Sequence, residues 1–145
     1  MLLSVQQTFS DSQALTGTAA STNIIDLGAT GTVLGAPAAL IRDIGKGEPI
    51  EILVTLIVGG GGTTPTLDVD LEVDDNDGFS SATTVASSQQ IAGGAAGDRV
   101  SLYWIPEGTN ERYMRLNYTL GGTSPTYTVT AGVVAADQTN VVPGA

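Results

Sequence analysis

The chain has 145 residues with fifteen acidic and five basic side chains, a formal charge of −10, and neither cysteine nor histidine. That length suits one domain, 1–145, able to bury a core without staples. The missing cysteines rule out disulfides and thiolate metal sites, the missing histidines remove the usual general base and commonest zinc ligand, and the negative balance argues against direct nucleic-acid binding.

Residues 1–9 alternate loosely, with Leu3, Val5, Gln7 and Phe9 on one side, and read as an extended arm reaching to residue 20 or as a weak edge strand. The start has no basic residue and no sustained apolar core, so it lacks the marks of a secretory signal. Residues 11–23 are rich in Ser, Thr, Ala and Gly. Such small side chains offer little burial, so the segment must be held by backbone hydrogen bonds or by another subunit. A short strand over 23–27, a Gly-punctuated loop over 28–37, a second short strand over 38–41 and a turn-rich connection over 42–49 follow. Pro49 stands at a strand entry, where a missing N–H is tolerated.

Ile50, Ile52, Val54, Leu56 and Val58 then recur at every second position, the period of a strand with one buried face. Leu53 and Ile57 on its second face are also apolar, which predicts cover on both sides. The apolar run 52–58 is too short to cross a bilayer, so no membrane association is expected. Next comes Gly61-Gly62-Thr63-Thr64-Pro65-Thr66, a motif that returns as Gly121-Gly122-Thr123-Ser124-Pro125-Thr126. Each copy separates two alternating segments. The first is followed by Leu67, Val69, Leu71 and Val73; the second lies between Met114, Leu116, Tyr118, Leu120 and Tyr127, Val129, Ala131, Val133. Alternation shows which side chains face inward and leaves open whether each strand-turn-strand unit lies in one sheet or crosses between two.

Between the units, residues 74–78 form a turn cluster, 83–86 and 99–105 read as strands around a loop at 92–97, and 106–110 turn the chain. The tail, 137–145, has no periodicity and is expected to be loose or docked on a partner. No segment shows helical periodicity. With nineteen Thr, nineteen Gly and regularly spaced turns, the chain is predicted to be all-β, a sandwich or barrel of about eight short antiparallel strands.

Asp68, Asp70, Glu72, Asp74, Asp75 and Asp77 place six carboxylates within ten residues. Calcium would relieve their repulsion, which makes Asp68, Asp70, Glu72 and Asp74 weak calcium candidates, but the EF-hand spacing fails. A basic partner or plain solvation serves as well. Gly45-Lys46 lacks the flanking residues of a phosphate loop, and Asn117-Tyr118-Thr119 lies mid-strand rather than in a glycosylated loop. Arg115, beside Tyr113 and Asn117, suits either a carboxylate across an interface or a salt bridge to the acidic stripe. Arg112 falls on the opposite face. Tyr103-Trp104 reads as core or as a sugar platform. With one Trp and seven aromatics in all, little material exists for a glycosidase saddle, and no enzyme or cofactor is expected.

Several ordered stretches resemble the capsid cement (decoration) proteins of tailed bacteriophages, the Bordetella-phage cement protein-like family. They are Asp11-Ser12-Gln13-Ala14, Ala20-Ser21-Thr22-Asn23, Ile25-Asp26-Leu27-Gly28, Arg42-Asp43-Ile44-Gly45, Gly47-Glu48-Pro49, Asp74-Asp75-Asn76, Phe79-Ser80-Ser81, Glu111-Arg112-Tyr113-Met114-Arg115-Leu116-Asn117-Tyr118, Val129-Thr130-Ala131-Gly132 and Asp137-Gln138. The resemblance implies a jelly-roll sandwich without catalysis, a small homo-oligomer (dimer or trimer) on the outer capsid surface of the virion, and the major capsid protein as partner. Candidate partner contacts are Leu3, Val5 and Phe9 of the arm, with Arg42, Lys46, Arg112, Tyr113 and Arg115. The rival from another class is a carbohydrate- or receptor-binding module of a phage fibre, using Tyr103, Trp104 and the acidic stripe. A calcium-stabilised domain is the third reading.

Overall fold

The computed structural model of the protein describes residues 4–102 and 105–134. One 3₁₀ turn, Val5–Gln7, precedes eight strands: β1 Thr8–Leu15, β2 Ala19–Ala20, β3 Ile25–Asp26, β4 Glu51–Asp74, β5 Thr83–Ser87, β6 Ile91–Ala92, β7 Arg99–Leu102 and β8 Tyr113–Val134. Every pairing is antiparallel.

β4 and β8 run the length of the molecule and pair along it, from Glu51↔Val134 to Asp74↔Tyr113. The two Gly-Gly-Thr motifs are not hairpin turns. They lie opposite each other inside this ladder, with Gly61↔Thr126, Thr63↔Thr123 and Thr66↔Gly121 in register. Ladder irregularities cluster between Leu56 and Thr66, where the extra residues let both strands bend together.

The bend folds one sheet into two layers. Ser10 is paired with Ala131, thirteen residues along β8 from Tyr118. At about 3.3 Å per residue a straight strand would hold these positions roughly 43 Å apart, yet the Ser10 and Tyr118 hydroxyls meet at 2.8 Å. One layer therefore holds β1, the second half of β8, the first half of β4 and β7 in that order, and the other holds β2 and β3, the first half of β8, the second half of β4, then β5 and β6. That order is the jelly roll. Each strand-turn-strand unit crosses between layers, which decides the question that alternation leaves open.

The predicted inward rows fill the space between the layers. Ile52, Val54, Leu56, Leu67, Val69, Leu71, Val73, Met114, Leu116, Tyr118, Tyr127, Val129 and Ala131 are all buried in one cluster. Ile50, Leu120 and Val133, at the ends of their rows, pack against it half-buried, and Val58 is exposed at 55% because the irregularity after Leu56 breaks the period before the row ends. On the second face of β4, Leu53 is covered and Ile57 is not.

Of the two readings of the N-terminal stretch, Thr8–Leu15 takes the edge strand, in the first layer, because burying Phe9 and Leu15 locks it into the sheet. Two further expectations are corrected. Residues 38–41 form no strand; their side chains all face solvent and gain nothing from pairing. The strand expected over 99–105 runs only from Arg99 to Leu102 among the described residues. The tail at 137–145 lies outside the described residues.

The small-residue segment after β1 is held within the chain. Gln13 accepts from the Ser10 hydroxyl at 2.7 Å and the Thr22 N–H at 3.0 Å, and donates to the Ala20 carbonyl at 2.9 Å. Ser21 bonds Leu116 in both directions: its N–H donates to the carbonyl at 2.7 Å and its hydroxyl accepts the N–H at 3.1 Å. These bonds replace the apolar burial the segment lacks.

Candidate interaction surfaces

The acidic face of β4 is built by strand register. Asp68, Asp70 and Glu72 stand opposite Thr119, Asn117 and Arg115 of β8. Arg115 donates from Nε to Glu72 at 2.7 Å, with both side chains mostly buried, and its guanidinium lies 4.2 Å from the centre of the Phe79 ring. Asp68 accepts from Gln90 at 2.9 Å. Of the two partners open to Arg115, the structure selects the in-chain carboxylate.

Asp74 continues that row, opposite Tyr113, but is taken up by its own turn. It is buried and accepts from the N–H groups of Asn76 at 3.0 Å and Ser81 at 2.8 Å, and from the Ser81 hydroxyl at 3.0 Å. Burial alone would raise its pKa; the donors from Ser81 and Asn76 outweigh it and hold the carboxyl below its ordinary value. The turn so closed holds Phe79 at φ +50°, a left-handed conformation uncommon for such a side chain, and places its ring beneath Arg115. Three of the calcium set Asp68, Asp70, Glu72 and Asp74 are thereby each engaged by a different partner: Asp68 by Gln90, Glu72 by Arg115 and Asp74 by Ser81. Among the described residues no three acidic side chains come together to hold a metal ion.

Arg112 lies just before β8 and forms a two-pronged pair with Asp26 of β3, 2.7 Å on each prong, stacking 4.8 Å from the Tyr113 ring centre. The Arg112 hydrogen bond, helped by the Gly28 N–H, lowers the Asp26 pKa to about 2. In return Asp26 raises that of Arg112. Arg42 is turned toward backbone rather than outward: it donates to the carbonyls of Leu27, Gly28 and Glu111. Lys46 is exposed in the turn before β4, and Val5 is 87% exposed on the 3₁₀ turn.

Phe9 is corrected as a partner contact, since it is wholly buried in the core and presents no surface. Leu3, Tyr103 and Trp104 lie outside the described residues. The predicted contacts do not converge on one patch. Arg112, Tyr113 and Arg115 stand near the entry to β8, and Arg42 reaches the carbonyl of Glu111 beside them. Val5 lies instead beside Thr8, Asp11, Asn23 and Thr130, against the other layer. Phe79, Gln90 and Ser81 escaped sequence reasoning because their roles depend on a turn and a neighbouring strand that no local pattern announces.

These surfaces belong to a jelly-roll sandwich in which Arg112 and Arg115 are each paired with a carboxylate of the same chain, the class of an all-β sandwich protein. The Bbp16 family model matches residues 9–138, and the chain belongs to that family, a phage structural-protein family. No curated protein matches the chain. Among solved structures it is similar to the N-terminal CBM22-1–GH10 modules of endo-1,4-beta-D-xylanase 10B from Clostridium thermocellum, solved with xylohexaose, at 14% identity and a TM-score of 0.40. That likeness covers 99% of this chain and 29% of the other, so the chain spans under a third of that structure's length. At such a score it bears on neither ligand nor function.

Proposed function

We propose that the protein is a non-enzymatic cement that binds the outer surface of an assembled phage head as a small homo-oligomer and bridges neighbouring major capsid proteins. Membership of the Bbp16 family over residues 9–138 is the observation that carries this reading. The fold supports it. Two layers tied by continuous 24- and 22-residue strands form a stiff body that transmits load between its contacts. The net charge of −10 favours a partner with a basic face and disfavours the genome inside the head.

The mechanism needs no chemistry. A protein that binds the assembled shell and not its free subunits stabilises the shell by mass action, by about 2.7 kcal/mol per site at a hundredfold excess over Kd. Purified protein should cosediment with undecorated heads of its phage and raise their disruption temperature. Failure to cosediment at saturating protein would sink this function.

A further inference from the structure

Asp77-Gly78 is the one Asp-Gly step in the chain, and no Asn-Gly step occurs. The pairing carries its own chemistry. A main-chain nitrogen that follows aspartate can attack the side-chain carboxyl and close a cyclic imide, and glycine obstructs that approach least because it has no Cβ. Both residues are exposed in the turn between β4 and β5, and the Asp77 carboxyl has no hydrogen-bond partner among the described residues. The electrophile is open, whereas the nucleophile is held. The Gly78 N–H donates to Asn76 Oδ1 at 2.7 Å, the Asn76 N–H to Asp74 Oδ1 at 3.0 Å and the Phe79 N–H to the Asn76 carbonyl at 3.0 Å. An asparagine bonded to the backbone two residues on fixes the peptide plane it reaches. Before it can attack, the Gly78 nitrogen must give up that bond and turn toward the Asp77 carboxyl.

We propose that Asp77-Gly78 is a site of spontaneous backbone isomerisation to isoaspartate, and that the Asn76 side chain is the gate that sets its rate. The Gly78 nitrogen bonds to the carboxyl carbon of protonated Asp77, whose OH leaves as water with the amide proton. Water then adds at the Asp77 main-chain carbonyl and breaks its bond to that nitrogen, so the chain runs on through the former side-chain carboxyl. One water leaves and one returns, and no oxidant, cofactor or second protein takes part. The main chain gains one methylene between Asn76 and Gly78. That insertion shifts Phe79, whose ring lies 4.2 Å from the Arg115 guanidinium, and Ser81, whose N–H and hydroxyl hold Asp74 at 2.8 and 3.0 Å. One slow bond exchange thus loosens both contacts that close the turn. The inference depends on this turn alone and not on the proposed function.

The test is peptide mapping of the purified full chain during weeks at neutral pH, with isoaspartate labelled by an isoaspartyl methyltransferase and located by mass spectrometry. Chain denatured in guanidinium chloride should accumulate isoaspartate at Asp77. Native wild type should do so about tenfold more slowly, and native Asn76→Ala about tenfold faster than native wild type, the factor that one ordinary hydrogen bond sets on a rate. Asn76→Asp keeps an acceptor oxygen for the Gly78 N–H and should stay slow. Asp77→Glu, whose longer side chain closes the ring far less readily, should give no signal at this position. If Asn76→Ala does not fold, hydrogen exchange at the Gly78 amide of wild type replaces it, with protection expected. A denatured chain without isoaspartate at Asp77 overturns the site. An Asn76→Ala protein that ages like wild type, an Asn76→Asp protein that ages like Asn76→Ala, or an unprotected Gly78 amide overturns the gate.

Discussion

Gly62 and Gly122, sixty positions apart, occupy equivalent places in the bend of the paired long strands. Gly62 has φ +94° and a Cβ there would strike the Ser124 and Thr123 carbonyls; Gly122 has φ +100° and its Cβ would strike those of Thr64 and Thr63. The equivalence continues one step along, where Thr64 and Ser124 share a left-handed φ of +48° and +50°. The repeated motif thus forms a local two-fold corner, each copy closing against the other.

Gly62→Ala and Gly122→Ala should each cost about 2–4 kcal/mol, combining a left-handed backbone penalty with overpacking against carbonyls that cannot move aside. Gly31→Ala, with open space around it and no positive φ, should be near neutral. Because the two corner residues touch one another's turn, the double variant should depart from additivity in denaturant titration. Additive, small losses would show that the bend does not depend on this contact.

Acid should destabilise the fold between about pH 4 and pH 2. The Asp26 pKa falls from 3.8 unfolded to about 2 folded. A depressed carboxyl contributes stability that is complete above the unfolded pKa and is lost as pH falls through the folded one. Asp74 is shifted in the same direction. Asp26→Asn should change the melting temperature little at pH 7, because its pair with Arg112 is 41–44% exposed. Its melting temperature should fall less steeply than that of wild type below pH 4. Parallel curves would mean that Asp26 does not titrate as described.

The alkaline limit depends on Tyr118. Burial, partly offset by the Ser10 hydroxyl, raises its pKa from 10.0 to about 12. A phenol kept neutral in the fold and free to ionise when unfolded loses stability as pH rises from about 10 to 12, by roughly 2–3 kcal/mol. Tyr118→Phe should cost about 1 kcal/mol at pH 7 for the lost hydrogen bond, since Ser10 keeps Gln13 as a partner. By pH 12 the variant should be the more stable protein. Curves that never cross would contradict this.

Much of the core was legible in advance because strand alternation is local. Leu67, Val69, Leu71 and Val73 announce a buried face whatever they pair with, and the same holds for Met114, Leu116 and Tyr118. The row ending at Val58 failed where the ladder slips, which a period of two cannot register. Thr8–Leu15 resisted because Ser10 and Gln13 look like surface residues until Tyr118 and Ala20 are set beside them. The acidic stripe misled for a related reason: Asp74 and Glu72 share a strand row, but one caps the turn that follows it and the other meets Arg115 across the ladder.

Residue order by itself determined the β class and the alternating core, and composition the lack of thiol and imidazole groups, since these depend on how near neighbours repeat and on which residues are present. Tertiary structure alone decided that the two Gly-Gly-Thr motifs pair with each other, that each long strand serves both layers, and which carboxylates are already matched. Those outcomes depend on contacts between residues tens of positions apart, and the energy of such a contact is written in neither partner's own neighbourhood.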